Sequence, residues 1–113
     1  MERLRRRADF LKAAGAIKVP APAFVLQALR RRDDQPARVG FTVSRKVGNA
    51  VERNRVRRRL REAVRLSSEG RMRAGYDYVL IGRRAALERA FDRMQQDLES
   101  ALQRAHSAKQ PAR

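Results

Sequence analysis

The stretch Val43–Val64 reads VSRKVGNAVERNRVRRRLREAV, and its breaks and apolar positions organise the chain on either side. Gly48-Asn49 ends the apolar alternation before it. Asn49 and Glu52, three residues apart, form a reciprocal N-cap that starts a helix. Projected at helical spacing, Val56, Leu60, Ala63 and Val64 share one narrow stripe, which must face a sheet. The helix runs to about Leu66. Around the stripe stands a run of guanidinium groups: six arginines lie between Arg53 and Arg61. Like charges at neighbouring helical positions repel by a few tenths of a kcal/mol per pair, roughly ~1 kcal/mol together. A helix that only had to fold would interleave glutamates.

Upstream, RVGFTVS (Arg38–Ser44) alternates as a half-buried strand. Val39, Phe41 and Val43 face one way, and Gly40, Thr42 and Ser44 the other. Before it, Asp33, Asp34 and Pro36 form a turn, and AFVLQALR (Ala23–Arg30) reads as a strand. The turn length pairs these two strands antiparallel. Pro20 and Pro22 leave room for a short strand at Ala16–Val19. Ala8–Ala14 reads as a helix with Phe10, Leu11 and Ala14 on one side, stopped by Gly15.

Downstream, SSEGRMRAG loops away, and YDYVLIG (Tyr76–Gly82) is an apolar run between glycines, a buried strand. Leu87, Phe91, Met94, Leu98, Leu102 and Ala105 then recur at spacings of three and four, the strongest helix of the chain. Residues 107–113 read as a polar tail that frays. The expected fold is α+β: a two-layer sandwich of about four strands with three helices, as a single domain over 1–113 that is ordered from about 5 to 105.

Composition narrows the partner. Twenty-eight Lys and Arg face 12 Asp and Glu, a formal charge of +16, in a 113-residue chain with 42% apolar residues. That is enough apolar material for a core, and the excess charge implies a polyanion. There is no cysteine, which removes disulfides, thiolate zinc sites and thiol nucleophiles. No apolar run reaches the ~20 residues of a membrane span, and Lys18, Pro20 and Pro22 interrupt any signal-peptide core. The expectation is a cytoplasmic protein with no membrane partner.

Nine cations stand against two anions between Arg45 and Arg65. Arg53, Arg57 and Arg61 flank the apolar stripe on one side, with Arg58 and Arg65 farther round, and Arg55 and Arg59 flank it on the other. Neutralising on the order of six phosphates is worth ~10³-fold or more in salt-dependent affinity, which outweighs the repulsion. Arg45 and Lys46 sit just ahead of the helix N-terminus, itself suited to phosphate. None of the helix-turn-helix, zinc-finger or basic-zipper patterns of duplex DNA readers is present, so DNA is not the expected partner. RNA recognition uses aromatics in a groove or sheet, for which Phe10, Phe24, Phe41, Tyr76 and Tyr78 are candidates, Phe41 reading as core. His106 reads as incidental, Asp33 and Asp34 as turn residues, and Asp92 and Asp97 as outer-face residues of the last helix. No catalytic set or metal-ligand spacing emerges.

RVGFTVSRKVGNAVERNRVRRRLREA closely resembles the central signature of the bacterial ribonuclease P protein subunit, with Arg53-Asn54-Arg55 after Gly48–Val51 as its hallmark. The resemblance extends to RADF, FVLQAL, GYDYVLIGR and the final helix, about residues 5 to 105. It implies a left-handed crossover from the strand before the Arg-rich helix to the strand after it. It also implies that a catalytic RNA, with Mg²⁺ bound mainly by that RNA and none by the protein alone, removes the 5′ leader of precursor tRNA. The partners implied are that RNA and precursor tRNA. By the same resemblance Arg53, Asn54, Arg55, Arg57, Arg58 and Arg61 lie near the catalytic RNA and leader. Asn49, Arg59 and Arg65 belong to the same RNA-binding segment. Phe10, Gln27, Thr42 and Ser44 would line a leader groove, with Arg45, Lys46 and Arg83 near its ends. Ala14 stands where many members have a second aromatic, and Gln27 where some have Tyr, which implies a groove relying more on charge than on stacking. The two banks of arginines suggest a division: Arg53, Arg57 and Arg61 toward the leader, Arg55 and Arg59 toward the catalytic RNA. The alternatives are a structural RNA-binding protein of ribosomal type and a protein-only nuclease, which the lack of an acidic cluster opposes.

Overall fold

The computed structural model describes residues 2–67 and 71–108. Five strands and three helices follow one another as β1 (Glu2–Arg3), α1 (Arg7–Ala14), β2 (Ile17–Pro20), β3 (Phe24–Arg30), β4 (Arg38–Thr42), α2 (Ala50–Ser67), β5 (Tyr76–Gly82) and α3 (Phe91–Ser107). Short 3₁₀ turns at Arg45–Val47 and Arg84–Leu87 lead into α2 and α3. The architecture is the expected α+β sandwich, with one strand more. β1 is two polar residues long and carries no apolar alternation from which it could be read.

The sheet order is β1-β4-β5-β3-β2. β3 and β4 are therefore not the antiparallel neighbours that their connecting turn suggests. β5 lies between them, antiparallel to β3 and parallel to β4. The reason is burial. β5 is apolar on both faces, and a strand with no solvent face belongs in the middle of a sheet covered on both sides.

β4, α2 and β5 form a parallel β-α-β unit whose hand follows from its hydrogen bonds. The Val39 carbonyl points to β1, accepting the Leu4 N–H at 2.8 Å, while the Val39 side chain joins the core beneath α2. For an L-residue viewed with its side chain forward and its chain running upward, the peptide groups point right. β1 is thus right of β4 and β5 is left. The crossover through α2 is left-handed, against the usual preference, as the resemblance implies.

Two apolar clusters fill the two faces. The larger lies between the sheet and α2/α3, built from Phe24, Leu26, Tyr78, Leu80, Val56, Leu60, Met94, Leu98 and Leu102 among others. α2 contributes the stripe read from the sequence: Val56, Leu60, Ala63 and Val64 are all buried. Gly82 lets that helix sit close, since a Cβ there would come within 2.6 Å of Val56 Cγ1. The smaller cluster, Leu4, Ala13 and Val79 with Phe10, Leu29 and Ile81 against it, lies under α1. Leu11, expected on the inner side of α1, is 60% exposed. The helix is only eight residues long and turns Phe10 and Ala13 inward instead.

His106 is not incidental. It lies in the last turn of α3 with its ring edge-on to Tyr76 and Tyr78, centroids 5.2 and 5.8 Å away. The Arg73 N–H donates to the Tyr78 hydroxyl at 2.9 Å, and that hydroxyl lies 2.6 Å from His106 Nε2. With the oxygen accepting from Arg73, the hydroxyl proton is available to a neutral imidazole. Burial pushes the Tyr78 hydroxyl up to about 12. Burial, then the Arg73 charge, hold His106 below its ordinary 6.5. The unfolded chain then protonates His106 before the folded one does. The stability this group contributes is complete above about pH 6.5 and lost as pH falls through the folded value. Thermal melts should show the melting temperature falling from pH 7.5 to pH 5.5, and His106→Gln should flatten that slope.

Of the tail read as residues 107–113, α3 takes in Ser107, and 109–113 lie outside the described residues, as do 68–70 of the loop before β5.

Candidate nucleic-acid interface

α2 begins as its sequence dictates. The Asn49 N–H donates to Glu52 Oε1 at 3.0 Å and the Glu52 N–H to Asn49 Oδ1 at 2.9 Å, the reciprocal cap. These bonds, the backbone one first and then Arg84, hold the Glu52 carboxyl below its usual range. Arg84 donates to Glu52 Oε2 at 3.0 Å and to the Val47 carbonyl at 2.6 Å. The cap is thereby bolted to the turn ahead of α3. Glu62, the other acid of the helix, is held by Arg65 (Nε to Oε2, 3.0 Å), whose hydrogen bond lowers its pKa. Both carboxylates of α2 are thus engaged.

The arginines divide as the projection expects, but not all of them reach solvent. On one side Arg61 stands over the Phe41 ring, its guanidinium carbon 5.8 Å from the centroid. One turn earlier Arg57 donates to Asn54 Oδ1 at 3.0 Å. On the other side Arg59 turns inward, donating to the carbonyls of Ala86 and of Arg89, the latter at 2.6 Å. Its guanidinium closes the turn between β5 and α3, so it is a structural tie rather than a free cation. The position of Arg59 beside Leu60 at the rim of the apolar stripe was the only hint. Arg65 is committed to Glu62. Arg45, Lys46, Asn54, Arg55 and Arg58 are exposed. Among the described residues no ion pair joins Arg45, Lys46, Arg53, Arg55, Arg57, Arg58 or Arg61 to a carboxylate. Arg53 is half-buried, its Nε shielded without a partner. Elsewhere Arg31 and Arg38 pair with Asp77, Arg89 with Asp97 and Arg71 with Glu99.

The opposite sheet face carries the other predicted set. Phe10 lies over Gly40, where an added Cβ would come within 2.5 Å of its ring. Glycine at that strand position is what lets the aromatic settle on the sheet. Thr42 continues the same face and is exposed, as is Ser44 beyond it. Gln27 lies on this face too, but it is only 5% exposed. It is floor under α1 rather than an accessible contact, because β3 is interior to the sheet. Arg83 is exposed, yet its Nη1 donates to the Ala21 carbonyl at 2.8 Å, fastening the chain after β5 to the β2–β3 turn. Ala14 is half-buried and presents no ring. Of the aromatic candidates Phe24, Tyr76 and Tyr78 are core, and Phe41 packs against the core from its edge. Phe10 alone overlooks the groove.

A family model described as Ribonuclease P matches residues 1–106. The chain is 55% identical over 104 residues to the ribonuclease P protein component of Gluconacetobacter diazotrophicus, covering 91% of this chain and 90% of that protein. It is 53% identical over 110 residues to that of Ruegeria pomeroyi, covering 94% and 87%. Among solved structures, the RNase P protein from Thermotoga maritima aligns with a TM-score of 0.75 at 33% identity over 92% of this chain and 97% of that one. That from Staphylococcus aureus aligns at 0.76 and 28% identity over 93% and 95%.

Proposed function

Because this chain belongs to the bacterial ribonuclease P protein family, we propose that it binds the family's catalytic RNA through α2 and holds the 5′ leader of precursor tRNA along the groove beneath α1. The chain is the protein component of a tRNA-processing ribonucleoprotein. One observation carries the finer reading: within nine positions of one helix, α2 keeps Arg53, Arg55, Arg57, Arg58 and Arg61 without a carboxylate partner, both of the helix's own carboxylates being taken by Arg84 and Arg65. Guanidinium forks match phosphate oxygens, and an unneutralised row of them binds RNA by counterion release. Arg45 and Lys46 extend the row past the N-terminus of α2 toward Thr42, Ser44 and Phe10. One strand could lie across both.

Among the described residues no three of His, Asp and Glu converge to hold a metal ion. In this reading scission and its Mg²⁺ belong to the RNA. The polypeptide contributes charge and position: it offsets phosphate repulsion between catalytic RNA and substrate, lowering the Mg²⁺ concentration needed.

The test mixes the chain with bacterial ribonuclease P RNA and precursor tRNA at low Mg²⁺. The expected result is stimulated 5′ maturation, none occurring without the RNA. Cleavage by the polypeptide alone would make it a nuclease in its own right, and binding without stimulation a structural RNA-binding protein; either overturns the proposal.

A further inference from the structure

The two-residue strand β1 is held more firmly than its length warrants. The Glu2 N–H donates to the Ala37 carbonyl and the Leu4 N–H to the Val39 carbonyl, both at 2.8 Å. Leu4 is only 4% exposed, beneath α1. The parallel register sets Arg3 beside Val39 and Glu2 beside Arg38. Side chains at paired positions share a face, so Arg3 stands on the α2 face, as Val39 does, and Glu2 on the other. Two residues along β4 from Val39 is Phe41, whose ring carries Arg61; Arg57 is one helical turn from Arg61. Three guanidinium groups from two distant parts of the chain thus gather at one edge of the sheet.

No carboxylate among the described residues neutralises them. Among the described residues none of the three has an ion pair, Arg57 having only the neutral Asn54 amide. Glu62 is committed to Arg65, and Asp9 to Arg38 at 3.5 Å. The mutual repulsion registers on Arg61, whose pKa is lowered by burial, then by Arg3 and Arg57. Holding three cations together is unfavourable unless something anionic lies between them.

We propose that Arg3, Arg57 and Arg61 form a phosphate-binding site at the β1 edge, taking one backbone phosphodiester of RNA, and that β1 serves to deliver Arg3 to it. The site rests on the RNA-binding role proposed for α2 and extends it onto a segment at the other end of the sequence. The phosphodiester belongs either to the catalytic RNA or to the precursor's leader, which separate titrations distinguish.

The experiment compares the full chain with its Arg3→Ala, Arg3→Glu and Arg104→Ala variants. Arg104 is exposed on α3 and removes the same charge far from the site. Binding to ribonuclease P RNA and, separately, to a leader-bearing precursor tRNA is titrated between 50 and 200 mM salt. Loss of one phosphate contact reduces the log–log salt slope by about 0.7–0.9. The native chain should therefore lose about 3-fold more affinity over that range than Arg3→Ala does, for whichever RNA supplies the phosphate. Arg3→Glu should bind still more weakly, and both Arg3 variants should melt with the native chain. The site is refuted if the Arg3 variants match Arg104→Ala in slope and affinity on both RNAs. A native chain that binds neither RNA refutes the RNA-binding role itself, a different result.

Discussion

Alanine at Arg53, Arg55, Arg57, Arg58 and Arg61 together weakens binding to ribonuclease P RNA by on the order of 10⁴-fold at 0.1 M salt, since each phosphate contact is worth about 8-fold there. The helix survives, because alanine is the best helix former and the like-charge repulsion is gone. Circular dichroism should stay native while the salt slope flattens by about 3.5 to 4.5. A slope unchanged within one contact would show that α2 is merely a solvated basic surface. Arg59→Ala should behave in the opposite way. It removes the donors held by the Ala86 and Arg89 carbonyls, costing about 1.5–3 kcal/mol of stability as charge-assisted hydrogen bonds do, with little change in salt slope. With Arg59 tied to the fold, the division between leader and catalytic RNA must then be tested with Arg55 standing for the second bank. Losses of equal size on both RNAs from either bank would refute the division.

The second large effect is on stability. Asp77, 2% exposed, accepts from Arg31 Nη1 at 2.5 Å, from Arg38 Nε at 2.7 Å and from Arg38 Nη2 at 2.6 Å. Arg31 also donates to the carbonyls of Tyr76, Gln35 and Pro36. One carboxylate therefore clasps the end of β3, the β3–β4 turn, and the starts of β4 and β5. Its hydrogen bond is the main reason the Arg38 pKa is raised. Asp77→Ala removes the buried partner shared by the Arg31 and Arg38 side chains, 12% and 29% exposed, and leaves them only the more exposed Asp33 and Asp9, at 3.1 and 3.5 Å. Breaking a buried pair in this way costs about 3–5 kcal/mol, a large part of the ~5–15 kcal/mol that holds a domain together. Asp77→Asn keeps the shape and loses the charge, and should recover little. Denaturant unfolding of both variants checks this; a loss below ~1 kcal/mol would mean that the cluster behaves as an exposed surface pair.

Much of the site is legible in the sequence alone. The cap at Asn49 and Glu52, the buried stripe of α2 and the two banks beside it all follow from residues within a few positions of one another. Helical geometry fixes where such neighbours point. Gln27 and Arg59 were misjudged for the converse reason. A polar side chain on a strand reads as solvent-facing until another element covers it, and an arginine beside an apolar stripe reads as free until a carbonyl from another turn reaches it. Asp77 meets the same limit: nothing within YDYVLIG marks it as a junction, because Arg31 and Arg38 lie far away along the chain.

Periodicity, capping and net charge thus established by themselves three helices, the main strands and a basic helix aimed at a polyanion, since each depends on short-range sterics or on a sum over the whole chain. Strand order, the left-handed crossover, β1 and the set of arginines left without partners came only with the assembled fold. Those features depend on which distant segments hydrogen-bond and which carboxylates they bring along. β5 takes the centre because both its faces must be buried, and that placement carries Arg3, Arg57 and Arg61 to one edge.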